Sequence, residues 1–183
     1  TKQVAQLPWA LRCEGNEDSI IQEALAALCV RGQTEAAVLN SGLFLGDLPA
    51  GRIDQDQLHT ILPHPMHLIR VTLKGADVIR FVLEMEKNRR FLRNYPIVGM
   101  GFRGKIFGEL VYKGISYDAI NHQVLWQNKV INPVEEYQIT LVDHYLFIPF
   151  FPTIEIAGRC EFLFPEFIRT VFGSYLAHKY PIQ

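Results

Sequence analysis

Residues 36–84 constrain the fold more than any other part of this sequence. They open on a continuous apolar run, Ala36-Ala37-Val38-Leu39, which ends in the polar turn Asn40-Ser41-Gly42. A second turn follows at Asp47-Leu48-Pro49-Ala50-Gly51. Asp54, with Gln57 three residues on, has the pattern of a capping box. After the loop around Pro63 and Pro65, Ile69, Val71 and Leu73 alternate with Leu68, Arg70 and Thr72, the period of a half-buried strand. Lys74-Gly75 breaks that strand. Residues 76–92 then read as a helix with Ile79, Phe81, Val82 and Leu83 available for burial, stopped at Tyr95-Pro96.

The flanking sequence carries the same mixture. Residues 1–15 read as an extended leading segment. Asn16 or Ser19 can cap a helix over about residues 17–31, whose stripe is Ile20, Ile21, Ala24, Leu25, Leu28 and Cys29. Gly32 is placed to end it. Short strands are predicted at 110–112, 115–117 and 123–126, with a turn over 118–122 between the last two. Tyr137, Ile139 and Leu141 alternate in a further strand that ends at Asp143-His144. Pro165, allowed at a first helical position, is expected to open a last helix to about His178. With no internal repeat and no linker, the pattern predicts a single α+β domain: a mixed sheet with packed helices.

Composition narrows the function classes. The chain has 183 residues, enough for one domain with a proper core, and is 49% apolar and 20% charged. Its net charge of −1 argues against a nucleic-acid or membrane-surface binder, which needs a basic stripe. The basic cluster Lys87, Arg89, Arg90 and Arg93 is read as a solvated helix end. No apolar run reaches the roughly 20 residues that span a bilayer. Cys13, Cys29 and Cys160 have neither zinc-site nor redox spacing, so buried thiols in a reducing compartment are expected. The start at Thr1 suggests a piece excised from a longer protein.

Several motifs invite chemistry. Gly99, Gly101 and Gly104 match a dinucleotide fingerprint by letters, and Gly99 to Lys105 nearly matches a phosphate loop. Both need a strand before and a helix after. Here a helix precedes and short strands follow, so a tight loop is expected, with Arg103 and Lys105 as candidate anion contacts. His59, His64 and His67 are read as surface or hydrogen-bonded residues rather than metal ligands. Asp143-His144 lacks a nucleophile and is read as a polar strand end. Tyr145, Phe147, Phe150 and Phe151, interleaved with Pro149 and Pro152, are read either as core or as rings that stack on a planar ligand.

The order Asn40-Ser41-Gly42, Leu48-Pro49-Ala50-Gly51, Leu62-Pro63, Val71 to Gly75 and Val82-Leu83-Glu84, with an echo at Gly114 to Asp118, resembles the C-terminal domain of the bifunctional metallophosphatase/5′-nucleotidase family. The tail at Phe164 to Arg169 is similar to a bacterial, cytoplasmic branch. The resemblance implies a division of labour. An N-terminal metallophosphoesterase domain, absent from this chain, would hold two divalent metal ions and activate water. The C-terminal domain would supply the pocket for a nucleoside or nucleotide, with two rings around the base and Asn and Arg on ribose and phosphate. No cofactor is expected in this chain itself.

Carried over residue by residue, the family Asn and Gly fall on Asn40 and Gly42, and the ring of the proline loop falls on His64. Phe150 or Phe151 stands in for the second ring. Arg12 corresponds to an upstream Arg, and Arg103 is a substitute for the family Arg, which falls on Leu45. Met66 replaces a family Asn. Two roles follow: substrate recognition for a cytoplasmic phosphoester hydrolase, inactive alone, or a structural or homodimerising cap that has lost its ligand.

Overall fold

The structure is a computed structural model that describes residues 1–14, 19–97 and 106–183. The chain opens with strand β1 (Gln3–Leu7) and helix α1 (Ser19–Gly32), then β2 (Ala36–Asn40), β3 (Gly51–Asp54) and α2 (Gln55–Ile61). Next come β4 (His67–Lys74) and the long helix α3 (Gly75–Arg93). Four short strands follow: β5 (Leu110–Lys113), β6 (Ile115–Asp118), β7 (Gln123–Trp126) and β8 (Lys129–Val130). The chain closes with β9 (Glu136–Val142), α4 (Pro152–Ala157), β10 (Arg159–Phe167) and α5 (Ile168–Lys179).

A five-stranded sheet in the order β10-β4-β9-β2-β5 forms the centre. Only β2 and β9 run parallel; β2 with β5, β4 with β9, and β10 with β4 are antiparallel. The apolar run of β2 is buried at every position, as a strand covered on both faces must be. Successive β4 residues show which helices cover which face. Arg70 donates to Gly32 O at the end of α1, whereas Val71 packs under Gly158 beyond α4. Helices α1 and α5 thus lie on one face, α3 and α4 on the other. Two smaller sheets, β1-β3 and β6-β7-β8, flank this body.

The capping box forms as read. Gln57 N donates to Asp54 Oδ1 at 2.9 Å, and Asp54 N donates to Gln57 Oε1 at 2.8 Å. Asp54→Ala should therefore lower stability by about 1 kcal/mol, seen as an earlier urea midpoint; Asp54→Asn should recover most of it.

Several local expectations are corrected. Helix α1 does end at Gly32, as read, but the left-handed residue is the next one, Gln33, with φ of 54°. Gly32 is needed for a different reason: a Cβ there would lie 2.0 Å from Thr140 Oγ1. Pro165 does not open the last helix. It lies within β10, on the sheet edge, where pairing with β4 is interrupted between Phe162 and Phe167 and no N–H is required. The basic cluster is not simply solvated. Arg89 pairs with Glu86 at 2.7 Å and with Glu109 at 3.1 Å, and Arg93 also contacts Glu109, because the start of β5 runs beside α3. The cysteines form no disulfide and are half-buried rather than buried. The loop with Gly99, Gly101, Arg103, Gly104 and Lys105 lies outside the described residues.

Candidate functional site

Because β2 and β9 are parallel, both release the chain at the same edge of the sheet. Open sheets tend to bind ligands at the carboxyl ends of such strands. At that edge β2 hands over to a 3₁₀ turn at Ser41–Leu43, and β9 to another at Asp143–Leu146. Asn40 and Tyr145 tie the two together. The Tyr145 hydroxyl donates to Asn40 Oδ1 at 2.6 Å, and Asn40 Nδ2 donates to Phe107 O at 2.8 Å. Gly42 N donates to the same carbonyl at 2.9 Å. A Cβ on Gly42 would come within 1.9 Å of Ile106 O, so only glycine permits this approach. The Asn-x-Gly sequence thus acts as a clasp on the segment that carries Phe107.

Above the clasp is a cleft of about 190 Å³, lined by Leu92, Tyr95, Ile97, Phe107, His144, Ile148 and Phe150. Its rim is aromatic. Phe150 meets Tyr95 edge-on, with ring centroids 5.2 Å apart, and Phe91 at 5.5 Å. Helix α3 fixes this segment, since Asn88 Nδ2 donates to Phe150 O at 3.2 Å. Phe107 N donates to Tyr95 O at 2.9 Å and closes the far side.

The electrostatics are those of a dry site. Burial, with His64 nearby, pushes His144 down to about 4, so its imidazole is neutral at neutral pH. Burial lowers His64 as well. Burial also raises Asp143, against the opposing backbone amides of His67 and His144, and holds the Tyr145 phenol far above its ordinary range. The floor of the cleft is polar in places but weakly charged.

The structure distributes the sequence candidates unevenly. Phe150 lines the cleft. Asn40 (0% exposed) and Gly42 lie one layer beneath it, under Phe107. His64 is 1% exposed and neighbours His144. Phe151 is 1% exposed and packs among Phe81, Phe107 and Tyr145. Arg12 is exposed, seven residues ahead of α1; its backbone N–H donates to Ser19 Oγ at 2.8 Å, and it is not among the lining residues. Arg103 lies outside the described residues. The sequence alone does not place Tyr95 or Phe107 in the site, and it reads His144 as a strand end. Among the described residues, no group of three or more His, Cys, Asp or Glu is placed to hold a metal ion. No described helix is long and apolar enough to cross a membrane.

The family described as 5′-nucleotidase, C-terminal domain, matches residues 4–147. The chain belongs to this family. The 5′-nucleotidase C-terminal domain therefore accounts for the α+β body, and the metallophosphatase association follows from the family. A Bacillus subtilis protein described as the uncharacterized metallophosphoesterase YunD is 30% identical over 183 residues, covering 95% of this chain and 39% of the relative. The chain thus spans about two fifths of that protein. In the solved structure of a 5′-nucleotidase precursor from Thermus thermophilus, the match covers 100% of this chain and 38% of the other, with a TM-score of 0.70 at 14% identity. The NAD nucleotidase NadN of Haemophilus influenzae matches 98% of this chain and 34% of its own, with a TM-score of 0.64 at 13% identity. At these identities the two structures show the fold of the 5′-nucleotidase C-terminal domain and nothing finer.

Proposed function

We propose that this chain is the substrate-recognition domain of a metal-dependent, nucleotidase-like phosphoester hydrolase, inactive alone and working in the cytoplasm beside an N-terminal metallophosphoesterase domain. The observation that carries the reading is the aromatic-rimmed cleft at the carboxyl edge of β2 and β9, in a member of the 5′-nucleotidase C-terminal family. Phe150 offers a face for a planar base, with Tyr95 edge-on beside it. Phe107, fastened by Asn40 and Gly42, closes the floor. A cleft of about 190 Å³ is smaller than the roughly 300–1,000 Å³ of complete ligand pockets. It suits one ring, and the remainder of a nucleotide would be held by the partner domain. The two divalent metals implied by the family would also sit there. The described residues offer no ligand set for them, so no step through metal is assigned to this chain.

The test is calorimetric titration of the full-length protein with adenosine, AMP and a UDP-sugar. Phe150→Ala should weaken binding about 10- to 100-fold, the usual worth of one ring stacked on a base, with the fold intact by circular dichroism. A second reading, a structural or dimerising cap, draws on two observations. Both polar ends of the Asn40 side chain are engaged inside the domain, and Leu45, at the position of the family Arg, is 40% exposed without charge. No heat from any of the three ligands at millimolar concentration would favour the cap.

A further inference from the structure

The cleft's apolar walls leave recognition of a base incomplete. Leu92, Ile97, Phe107, Ile148 and Phe150 present hydrocarbon only. Stacking on such walls holds any flat ring, because every base has a π-face. Telling one base from another needs a buried polar group that is left unmatched by the wrong ring. Among the described lining residues, only Tyr95 and His144 carry polar side-chain atoms. Tyr95 belongs to the aromatic rim, edge-on to Phe150.

His144 is placed differently. It is 4% exposed and follows directly on β9, in the middle of the sheet edge rather than on the rim. Its turn is closed by Phe147 N donating to His144 O at 3.0 Å. The next residue, Tyr145, is pinned to Asn40, and the His144 and Tyr145 rings lie 6.5 Å apart. The imidazole is therefore carried on a rigid support, and His144 lines an otherwise largely apolar cleft. A neutral imidazole offers one donor and one acceptor.

We infer that His144 reads the hydrogen-bonding edge of the planar ring that enters this cleft and so determines which heteroaromatic bases are accepted. The inference rests on the nucleoside reading above. It makes His144 a specificity residue and not an acid or base: the class of ligand is a neutral nitrogen heterocycle with a polar edge, stacked on Phe150, with Tyr95 edge-on beside that ring. Protonation is held down to about 4 by burial, so the group acts in one charge state across the physiological range.

The experiment uses nucleosides without phosphate, so that no phosphoester hydrolysis can consume them. The full-length protein is titrated with adenosine, inosine and purine riboside, the last lacking an exocyclic polar group. The wild type should bind its preferred nucleoside about tenfold more tightly than purine riboside, the worth of one net hydrogen bond. His144→Phe, which keeps a flat ring, should bring the three affinities together at the purine riboside level. His144→Asn should restore part of the spread. Independently, the imidazole ¹⁵N signals of His144, assigned by their loss in His144→Asn, should move when the preferred nucleoside is added to the wild type. An unchanged spread of affinities in a folded His144→Phe, or unmoved imidazole signals in a nucleoside-bound wild type, would overturn the assignment while leaving the pocket reading in place. A wild type that binds none of the three brings down the nucleoside reading itself.

Discussion

Phe151→Ala should destabilise the domain by about 3–5 kcal/mol, the range for deleting a fully buried aromatic ring. The ring is 1% exposed and lies edge-on to Phe81 of α3 at 6.0 Å and to Tyr145 at 5.6 Å. Its neighbours cannot easily close over the void. Tyr145 is tethered to Asn40, Phe107 is held through its carbonyl, and Thr153 is bonded to Glu84 through both its backbone and its hydroxyl. Phe150→Ala should do the opposite. Its ring is half-buried at the rim, so it should cost little stability and chiefly impair binding. Urea unfolding of the two variants, beside the titration above, separates the adjacent phenylalanines. A Phe151→Ala protein of wild-type stability that had lost its ligand would put that ring in the cleft and this account in error.

The fold was legible where one local rule had no competitor. Asp54 and Gln57 need only each other to form a capping box, and they do. The alternation from Leu68 to Leu73 needs only one buried sheet, and β4 spans His67–Lys74. The misses fall where a distant contact decides. Pro165 suits a helix start locally, but the neighbouring residues of β10 pair with β4, nearly a hundred positions earlier in the chain. Gly32 does end α1 as its sequence suggests, and only the reason was hidden: what demands a glycine there is Thr140 on β9.

The site was less legible for the same reason. Asn40 stands out in sequence as a polar residue in a turn, the type that meets a ligand. Its partners, Phe107 O and the Tyr145 hydroxyl, are 67 and 105 residues away, and they turn a surface polar residue into a buried clasp. Phe150 and Phe151 are indistinguishable as letters. In the fold Phe151, just ahead of α4, packs among Phe81, Phe107 and Tyr145, and Phe150 lines the cleft. Tyr95, at a helix stop, and Phe107, beside a glycine, carry no signal of function in sequence. Only the meeting of the α3 end with the edge of β2 and β9 gives them one.

Acidification should expose the neutral state of His144 directly. An unfolded histidine takes up its proton near 6.5, whereas burial delays the native residue to about 4. Between those values the unfolded chain binds a proton that the native fold refuses, so stability falls as pH falls. At about 1.4 kcal/mol per pH unit, the window corresponds to a loss of about 3 kcal/mol. His64, also lowered by burial, acts in the same direction. Asp143 acts against them: burial raises it, so the native carboxyl takes its proton earlier and recovers some stability at the acid end. Carboxylates held low by hydrogen bonds, Asp47, Asp118 and Glu166, add to the loss only as pH approaches their ordinary range near 4. Comparison with His144→Asn isolates the one group. Urea unfolding from pH 7.5 to 4.5 should show the wild type losing about 2–3 kcal/mol more than the variant, with most of the difference appearing below pH 6.5. Parallel curves for the two proteins across that window would mean that His144 is charged in the native fold, and that the cleft floor is wetter than its apolar lining implies.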